Sequence, residues 1–288
     1  MEREGRIETR DGRVLAYVEH GEADAPTIFH LHGTPGSRLT HHPDPSVYEG
    51  LRVVASDRPG YGRSDPQPGR TVAAGAADVE DLADALGVDR FAVLGVSGGG
   101  PHALACAALL PERVTRAATL VGGGPSDDPG FDFLVGMADL NIREFSAARE
   151  GEEALEAFLA PDLDALRRDP DVLLDQFATE LPEPDQALLQ RPEYRAAISA
   201  SWIESVRQGT RGWIDDDLAF VRPWGFQLED VQIEVRLWQG ELDVLVPRAH
   251  AEYMARRLPH AAFELIPNAG HLIFDHYRAA FEWLAAPR

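Results

Sequence analysis

The amino-acid sequence predicts an α/β fold, in which helices cover both faces of a sheet. Short β-rich runs alternate with helical patterns in the first half of the chain, and this alternation is typical of such folds. Several of the runs are continuously apolar, as in buried parallel strands. The alternation stops near Asp127 and resumes after Phe226. One interrupted domain therefore explains the chain better than two tandem domains.

The predicted strands are short apolar or alternating runs bounded by turn residues. In the first half of the chain they cover residues 14–19, 27–31, 53–56, 91–96 and 117–121. Two more follow at residues 235–239 and 263–266.

A helix is predicted from Thr71, because apolar residues recur there with a helical period and Gly87 stands where a C-terminal cap belongs. Further helices are predicted at residues 102–110, 248–258 and 272–286. The apolar positions of the first helix are Val72, Ala76, Val79, Leu82 and Leu86.

The middle of the chain lacks strand patterns and predicts an inserted, all-helical cap. We expect a core domain formed by residues 1–126 and 227–288, with the cap at residues 127–226. Prolines are expected to separate the cap helices. They are Pro161, Pro170, Pro182, Pro184 and Pro192.

The charged residues disfavour two classes of partner and exclude one kind of chemistry. The formal net charge is −21, and all 27 basic residues are arginine. Nucleic acid and anionic membranes are therefore disfavoured as partners, and the absence of lysine excludes Schiff-base chemistry. Residues 127–191 hold 17 Asp and Glu against 5 Arg, and we expect most of these carboxylates to face water.

The sequence predicts a cytoplasmic protein. No apolar run approaches the roughly 18 residues that a membrane span needs, and the first residues are charged where a secretory signal would be apolar. The single cysteine, Cys106, excludes an internal disulfide and any Cys-rich zinc site.

The strongest motif is Gly95-Val96-Ser97-Gly98-Gly99, which lies between the strand at 91–96 and the helix at 102–110. A G-x-S-x-G turn between a strand and a helix projects its serine at the carboxyl edge of the sheet. A structural glycine turn or a phosphate-binding loop is the alternative. The missing lysine excludes a P-loop, so we predict that Ser97 is a nucleophile.

A serine nucleophile needs a base, and His271 is the predicted one. It follows the last strand directly, so it lies at the edge where Ser97 emerges. The other histidines considered fall on or beside helices, or in a polar loop. They are His250, His260 and His276, and then His41 and His42.

Asp243 is predicted to orient the histidine, because it lies just past the strand at 235–239. Glu241 competes with it locally, and Asp127 and Asp128 lie after another strand of the same edge. The backbone N–H groups of Gly98 and Thr34 are the predicted oxyanion hole.

Together these motifs resemble the α/β-hydrolase superfamily, in particular capped members such as esterases, epoxide hydrolases and proline iminopeptidases. The resemblance covers nearly the whole chain outside the cap. It implies an eight-stranded, mostly parallel sheet, no metal or organic cofactor, and a covalent acyl-enzyme. The motifs are His32-Gly33-Thr34-Pro35-Gly36, Asp57-Arg58-Pro59-Gly60-Tyr61-Gly62-Arg63-Ser64, Gly95-Val96-Ser97-Gly98-Gly99, Gly240-Glu241-Leu242-Asp243 and Gly270-His271.

Two differences from other members of this superfamily narrow the range of expected activities. Ser97 argues against epoxide hydrolases and haloalkane dehalogenases, which resemble this chain but carry aspartate there, and Gly98 stands where proline iminopeptidases have tryptophan. We therefore expect hydrolysis of an ester or related acyl bond of a small molecule. An aminopeptidase, carbon–carbon bond cleavage and a receptor with little turnover are the alternatives. The cap has enough apolar side chains to line an acyl pocket, although packing of the cap against the sheet domain is the expected role of any single one. They are Phe131, Phe133, Leu134, Phe145, Trp202, Trp213 and Trp224.

Overall fold

Eight strands form one sheet in a computed structural model, which describes residues 2–287. They are β1 (Arg3–Glu8), β2 (Val14–Gly21), β3 (Thr27–Leu31), β4 (Arg52–Ser56), β5 (Phe91–Val96), β6 (Val114–Leu120), β7 (Val235–Gly240) and β8 (Ala261–Ile266). Their order across the sheet is β1-β2-β4-β3-β5-β6-β7-β8. This confirms the predicted eight-stranded sheet.

The sheet is parallel from β4 through β8. Only the pairings of β1 with β2 and of β2 with β4 are antiparallel among the described strands. The carboxyl ends of β3 to β8 therefore meet at one edge of the sheet. Residues that follow these strands are brought close together there, although they are far apart in the sequence.

Ten α-helices surround or extend from the sheet in the described part of the chain. They are α1 (Ala74–Ala85), α2 (Gly99–Leu109), α3 (Asp139–Glu150), α4 (Glu152–Arg168), α5 (Pro170–Thr179), α6 (Glu183–Leu189), α7 (Pro192–Ser205), α8 (Arg211–Phe220), α9 (Ala249–Arg257) and α10 (Tyr277–Ala285). Short 3₁₀ helices cover Pro45–Tyr48, Leu228–Asp230 and Phe274–His276.

The core lies on both faces of the sheet. In β5, Val93 belongs to the apolar cluster that includes Leu82 of α1, whereas its neighbour Leu94 belongs to the cluster that includes Phe281 of α10. Successive residues of a strand point to opposite faces, so a strand covered on both sides must be apolar throughout. This is why the run at 91–96 carries no alternation.

Six helices, α3 to α8, lie between β6 and β7, where the helical insertion was predicted. The domain boundaries at 127 and 226 stay a prediction, and residues 127–226 are called the inserted segment below. Pro161 does not separate two helices, as we expected, but lies inside α4. A proline inside a helix removes one backbone hydrogen bond and crowds the carbonyl of the preceding turn, which together cost about 3 kcal/mol. Burial of Leu155, Leu159 and Leu166 on both sides of the proline offsets this cost.

Strand β1 is absent from the sequence-based prediction. Four of its six residues are charged, and its burial pattern shows that it is largely exposed. Charged residues are common on edge strands, where they prevent pairing with other chains. Other differences concern element ends. The predicted closing helix at 272–286 is a 3₁₀ turn followed by α10 from Tyr277, and β6 ends before Val121, which has φ 52°.

The helices of residues 2–287 include none that is long and apolar enough to span a membrane.

Candidate active site

Ser97 occupies a strained turn between β5 and α2. Its φ is 52°, in the left-handed region that residues other than glycine seldom adopt. Its N–H donates to the carbonyl of Leu120 at 2.8 Å, which fixes the turn against β6. A Cβ on Gly95 would overlap the backbone of Gly99, and one on Gly99 would overlap that of Leu31. The glycines of the motif are therefore required by close backbone packing.

His271 and Asp243 form a buried pair at the same edge. The Nδ1 atom of His271 lies 2.8 Å from Oδ2 of Asp243, and the Asp243 residue is 5% exposed. Gln239 donates to the same carboxylate oxygen at 2.9 Å, and the N–H groups of Leu245 and Val246 donate to Oδ1, each at 2.9 Å. The carboxylate is thus held in one orientation by donors on both oxygens.

The acidic surroundings favour the protonated form of His271. Burial by itself would lower the pKa of this imidazole, but the charge and the hydrogen bond of Asp243, together with the charge of Asp185, outweigh it and raise the pKa. A histidine in this environment is a stronger base than a free imidazole. Its second ring nitrogen, Nε2, is the atom left for exchange with a substrate or a nucleophile.

A cavity of about 420 Å³ brings the predicted site residues together. Ser97 and His271 line it, and so do Thr34 and Gly98. Asp243 lies behind His271, in the hydrogen bond described above. Ser97, His271 and Asp243 thus come from three loops at one sheet edge.

The loop after β3 packs directly against the turn after β5. A Cβ on Gly98 would overlap the side chain of Thr34, and one on Gly33 would lie 3.4 Å from Cβ of Ser97. The backbones of Thr34 and Gly98 thus flank Ser97, where two N–H donors for an oxyanion would be needed.

A buried carboxylate from the inserted segment holds this loop. Oγ1 of Thr34 donates to Oδ2 of Asp216 at 2.8 Å, and the same carboxylate pairs with Arg58 at 2.5 Å and with Arg70 at 2.6 Å. Tyr61 also donates to it, at 2.8 Å. Arg58 in turn donates to the carbonyl oxygens of His32 and Gly33.

Asp216 stays ionised although it is fully buried. Burial would raise its pKa, but the charges of Arg58 and Arg70, with a contribution from His102, hold the pKa well below its usual range. The sequence analysis did not identify this residue. The signal was the run Asp215-Asp216-Asp217 between apolar residues of one helix, because three acids in such a run cannot all face water.

Comparison with known proteins identifies the family. The family model described as "alpha/beta hydrolase fold" matches residues 26–276. The chain belongs to the α/β-hydrolase fold family. The chain is also similar to known hydrolases and to a proline iminopeptidase.

A 2-hydroxy-6-oxononadienedioate/2-hydroxy-6-oxononatrienedioate hydrolase of Paraburkholderia xenovorans is 34% identical over 92% of this chain and 87% of that protein. A proline iminopeptidase of Xylella fastidiosa is 27% identical over 94% of this chain and 91% of that protein. A thermophilic esterase from Thermogutta terrifontis superposes with a TM-score of 0.71 and 23% identity, over 98% of both chains. At that identity, the structural likeness shows the fold alone.

The rejected candidates for the acid have other partners in this α/β hydrolase. Glu241 accepts a hydrogen bond from the backbone of Asn268 at 3.1 Å. Asp128 pairs with Arg257 at 2.7 Å and also accepts from Tyr253. Asp127 lies on the wall of a separate, smaller pocket.

The other histidines are mostly structural. His250 is fully buried and accepts from the N–H of Gly124 at 3.0 Å. His42 is 7% exposed, although it was expected in a polar loop. His41 lines the cavity, and its Nδ1 lies 2.7 Å from the carbonyl oxygen of Leu39.

Most of the apolar residues predicted for a substrate pocket line the cavity. The exceptions are Phe131, which stacks on Tyr253 at 4.6 Å between ring centres, and Leu134, which lies in the turn after Asp132. The residues on the wall are Phe133, Phe145, Trp202, Trp213 and Trp224.

Most of the acidic residues at 127–191 are exposed, as predicted. Three acidic residues of the inserted segment, Glu144, Asp162 and Asp217, line the cavity and are partly or fully buried. Glu144 and Asp217 face each other there, and burial followed by mutual repulsion raises the pKa of Asp217 well above its usual range. Burial also raises the pKa of Glu144 and of Asp162. Oδ2 of Asp217 is buried with no hydrogen-bond partner among the described residues.

Within residues 2–287, no group of three or more His, Cys, Asp or Glu side chains is arranged to hold a metal ion.

Proposed function

We propose that this α/β hydrolase cleaves a carboxylic ester or a related acyl bond of a small or medium substrate through an acyl-enzyme on Ser97. The observation that carries the proposal is that Ser97 and His271 line one cavity while His271 is hydrogen-bonded to the buried Asp243. A serine hydroxyl needs a positioned base to attack a carbonyl at neutral pH, and a carboxylate behind the histidine fixes its tautomer.

In the first half-reaction, Nε2 of His271 accepts the Ser97 hydroxyl proton as Oγ bonds to the carbonyl carbon. The negative charge that develops on the carbonyl oxygen is stabilised by the N–H groups of Gly98 and Thr34. Asp243 stabilises the imidazolium, which then protonates the leaving alcohol as the ester bond breaks. The products at this stage are the free alcohol and acyl-Ser97.

In the second half-reaction, a water molecule replaces the alcohol. His271 takes a proton from the water as its oxygen bonds to the acyl carbon, and the imidazolium returns a proton to Ser97 as the acyl–oxygen bond breaks. The carboxylic acid leaves, and Ser97 and His271 regain their starting states.

The cavity wall supports an uncharged acyl group. Aromatic side chains such as Trp202 and Trp213 contribute apolar surface. The charged residues on the wall are mostly acidic, with Arg143 as the single arginine among the described lining residues. The acidic ones are Asp139, Glu144, Asp162, Glu180 and Asp217.

This charge balance argues against a dianionic substrate. A dioate, the substrate in the name of the Paraburkholderia xenovorans relative, carries two carboxylates. Two carboxylates in a low-dielectric cavity need cationic partners, and one arginine beside five acids does not supply them. We therefore do not extend that dioate substrate to this chain.

A substrate with a free amine is the second candidate, supported by the acidic wall that includes Asp217 and Glu144. It also agrees with the similarity to a proline iminopeptidase. The ester proposal is preferred because burial favours the uncharged form of Asp217, whose pKa lies well above its usual range, and acts in the same direction on Glu144 and Asp162.

Covalent labelling and a substrate panel test the proposal. A fluorophosphonate probe is expected to label the wild type but not a folded Ser97→Ala variant, and the wild type is expected to hydrolyse p-nitrophenyl esters. Labelling of folded Ser97→Ala at the wild-type level would refute the mechanism. Labelling of Ser97 without turnover of either esters or aminoacyl anilides would favour the receptor alternative.

A further inference from the structure

Helix α6 of the inserted segment packs on the two loops that carry His271 and Asp243. Leu189 of α6 belongs to an apolar cluster with Leu245, two residues after Asp243. Leu188 belongs to the cluster that contains Ile273, two residues after His271. This short helix therefore touches the core at the pair that the mechanism depends on.

Asp185 of α6 binds the backbone of the histidine loop with both carboxylate oxygens. Oδ2 accepts from the N–H of His271 at 2.7 Å, and Oδ1 accepts from the N–H of Leu272 at 2.9 Å. The Asp185 residue is 1% exposed. A Cβ on Gly270 would overlap its carboxylate, so the glycine lets the loop approach closely.

Two carboxylates, carried by different elements of the fold, thus contact His271. Asp243 reaches the ring from the loop after β7, and Asp185 reaches the backbone from α6. Burial lowers the pKa of His271, and the charges of both carboxylates raise it. Burial, with the charge of Asp243, raises the pKa of Asp185, and its two N–H donors and His271 offset only part of this.

We propose that Asp185 is a positioning residue for His271. Its carboxylate fixes the backbone from which the imidazole projects towards Ser97, and its negative charge stabilises the imidazolium that forms during catalysis. The inference rests on the proposed function, because it assigns a role within the same reaction. It also gives the inserted segment a part in the catalytic rate, and not only in binding the substrate.

The physical argument is the cost of moving a base. A misplacement of the order of 1 Å at a reacting group can reduce a rate by about 10²-fold, and a loop histidine has few restraints of its own. Two charge-assisted hydrogen bonds on consecutive N–H groups prevent the loop from sliding or rotating. Neither bond touches the substrate, so the effect should fall on kcat rather than on KM.

The decisive variant is Asp185→Asn, with Glu183→Gln as its matched control. Both changes replace a carboxylate by its amide in α6, but Glu183 is exposed. Asp185→Asn points an amide donor at one of two N–H donors and removes a charge, so kcat should fall about tenfold or more. The acid limb of the pH profile of kcat/KM should move to lower pH. Glu183→Gln should leave both unchanged.

A second variant separates position from charge. Gly270→Ala keeps the Asp185 charge but pushes its carboxylate from the loop, because the new methyl group overlaps it. We expect kcat to fall while the acid limb moves less than in Asp185→Asn. Circular dichroism and the melting temperature establish that each variant is folded. If Asp185→Asn does not fold, Gly270→Ala decides the question.

Wild-type kcat and an unmoved acid limb in folded Asp185→Asn would overturn the inference, and so would wild-type kcat in folded Gly270→Ala. In Asp185→Asn, a loss of stability with unchanged kcat and an unmoved acid limb would also overturn it, since a merely structural contact has that effect. Fluorophosphonate labelling of the wild type and of Ser97→Ala is measured first. Failure there refutes the proposed function, whereas failure of the Asp185 variants alone refutes only the positioning role.

Discussion

Asp243 accepts from His271 with the same carboxylate oxygen that accepts from Gln239, at 2.8 Å and 2.9 Å. Its other oxygen accepts from the N–H groups of Leu245 and Val246. Every described hydrogen-bond partner of this carboxylate is therefore a donor or can be one. An amide at this position would place its NH₂ group against donors whichever way it turned.

Asp243→Asn should consequently lower kcat by about 10⁴-fold, the effect of the same change in a well-studied serine triad, because the amide favours the wrong imidazole tautomer. Steady-state kinetics with a p-nitrophenyl ester would measure it. Glu241→Gln is the control, since Glu241 contacts the backbone of Asn268 instead. A larger loss in Glu241→Gln, or in Asp127→Asn, would show that the acid is wrongly assigned.

The pH dependence of the wild type should follow His271. Neutral imidazole is the form that accepts the Ser97 proton, so kcat/KM should rise with pH through the pKa of His271 and level off above it. Because the neighbouring carboxylates raise this pKa, the acid limb should lie above the pH range of an ordinary histidine. A profile that stays flat well below the ordinary range would contradict the assignment of His271 as base.

Asp216→Asn should destabilise the fold and slow catalysis together. Removing one partner from a buried ion pair typically costs about 3–5 kcal/mol, and here Arg58 and Arg70 would lose the same carboxylate. Thr34 would lose its acceptor as well, which loosens the proposed oxyanion loop. Urea unfolding and kcat measure the two effects. Asp215→Asn is the neighbouring control, because Asp215 is also buried but its described hydrogen bonds come from Arg211 and from the N–H of Gly69 rather than from Thr34. Equal losses in both variants would argue against a special role for Asp216.

Substrate preference should follow acyl length more than salt. We expect simple esters to be hydrolysed faster than aminoacyl anilides of similar size, at a ratio that salt changes little, because buried carboxyls are screened weakly. Asp217→Asn should change the kcat/KM of neutral esters little, because asparagine keeps the size of the side chain and Asp217 is not among the proposed reacting groups. A strong preference for free-amine substrates that Asp217→Asn abolishes would instead support the aminopeptidase candidate.

Local patterns determined most of the fold. The apolar run at 91–96 predicted a buried strand and the glycines around Ser97 predicted a tight turn after it, so the position of Ser97 was predictable from adjacent residues. His271 and Asp243 were predictable because each follows a parallel strand, and the carboxyl ends of such strands share one edge. Edge strand β1 was missed, since its charged residues leave little apolar pattern.

The sequence by itself determined the sheet, the turn that presents Ser97 and the loops that bear His271 and Asp243, because these depend on short-range patterns and on a regular topology. Only the tertiary structure decided what the inserted segment contributes. Asp185 lies 86 residues from His271, and Asp216 lies 182 residues from Thr34. A carboxylate in the sequence is equally compatible with water, an arginine or a backbone N–H group. Which of these partners it has depends on how the helices pack. In the folded protein, Asp185 and Asp216 bind the loops of the site, and Asp217 lies in the cavity wall.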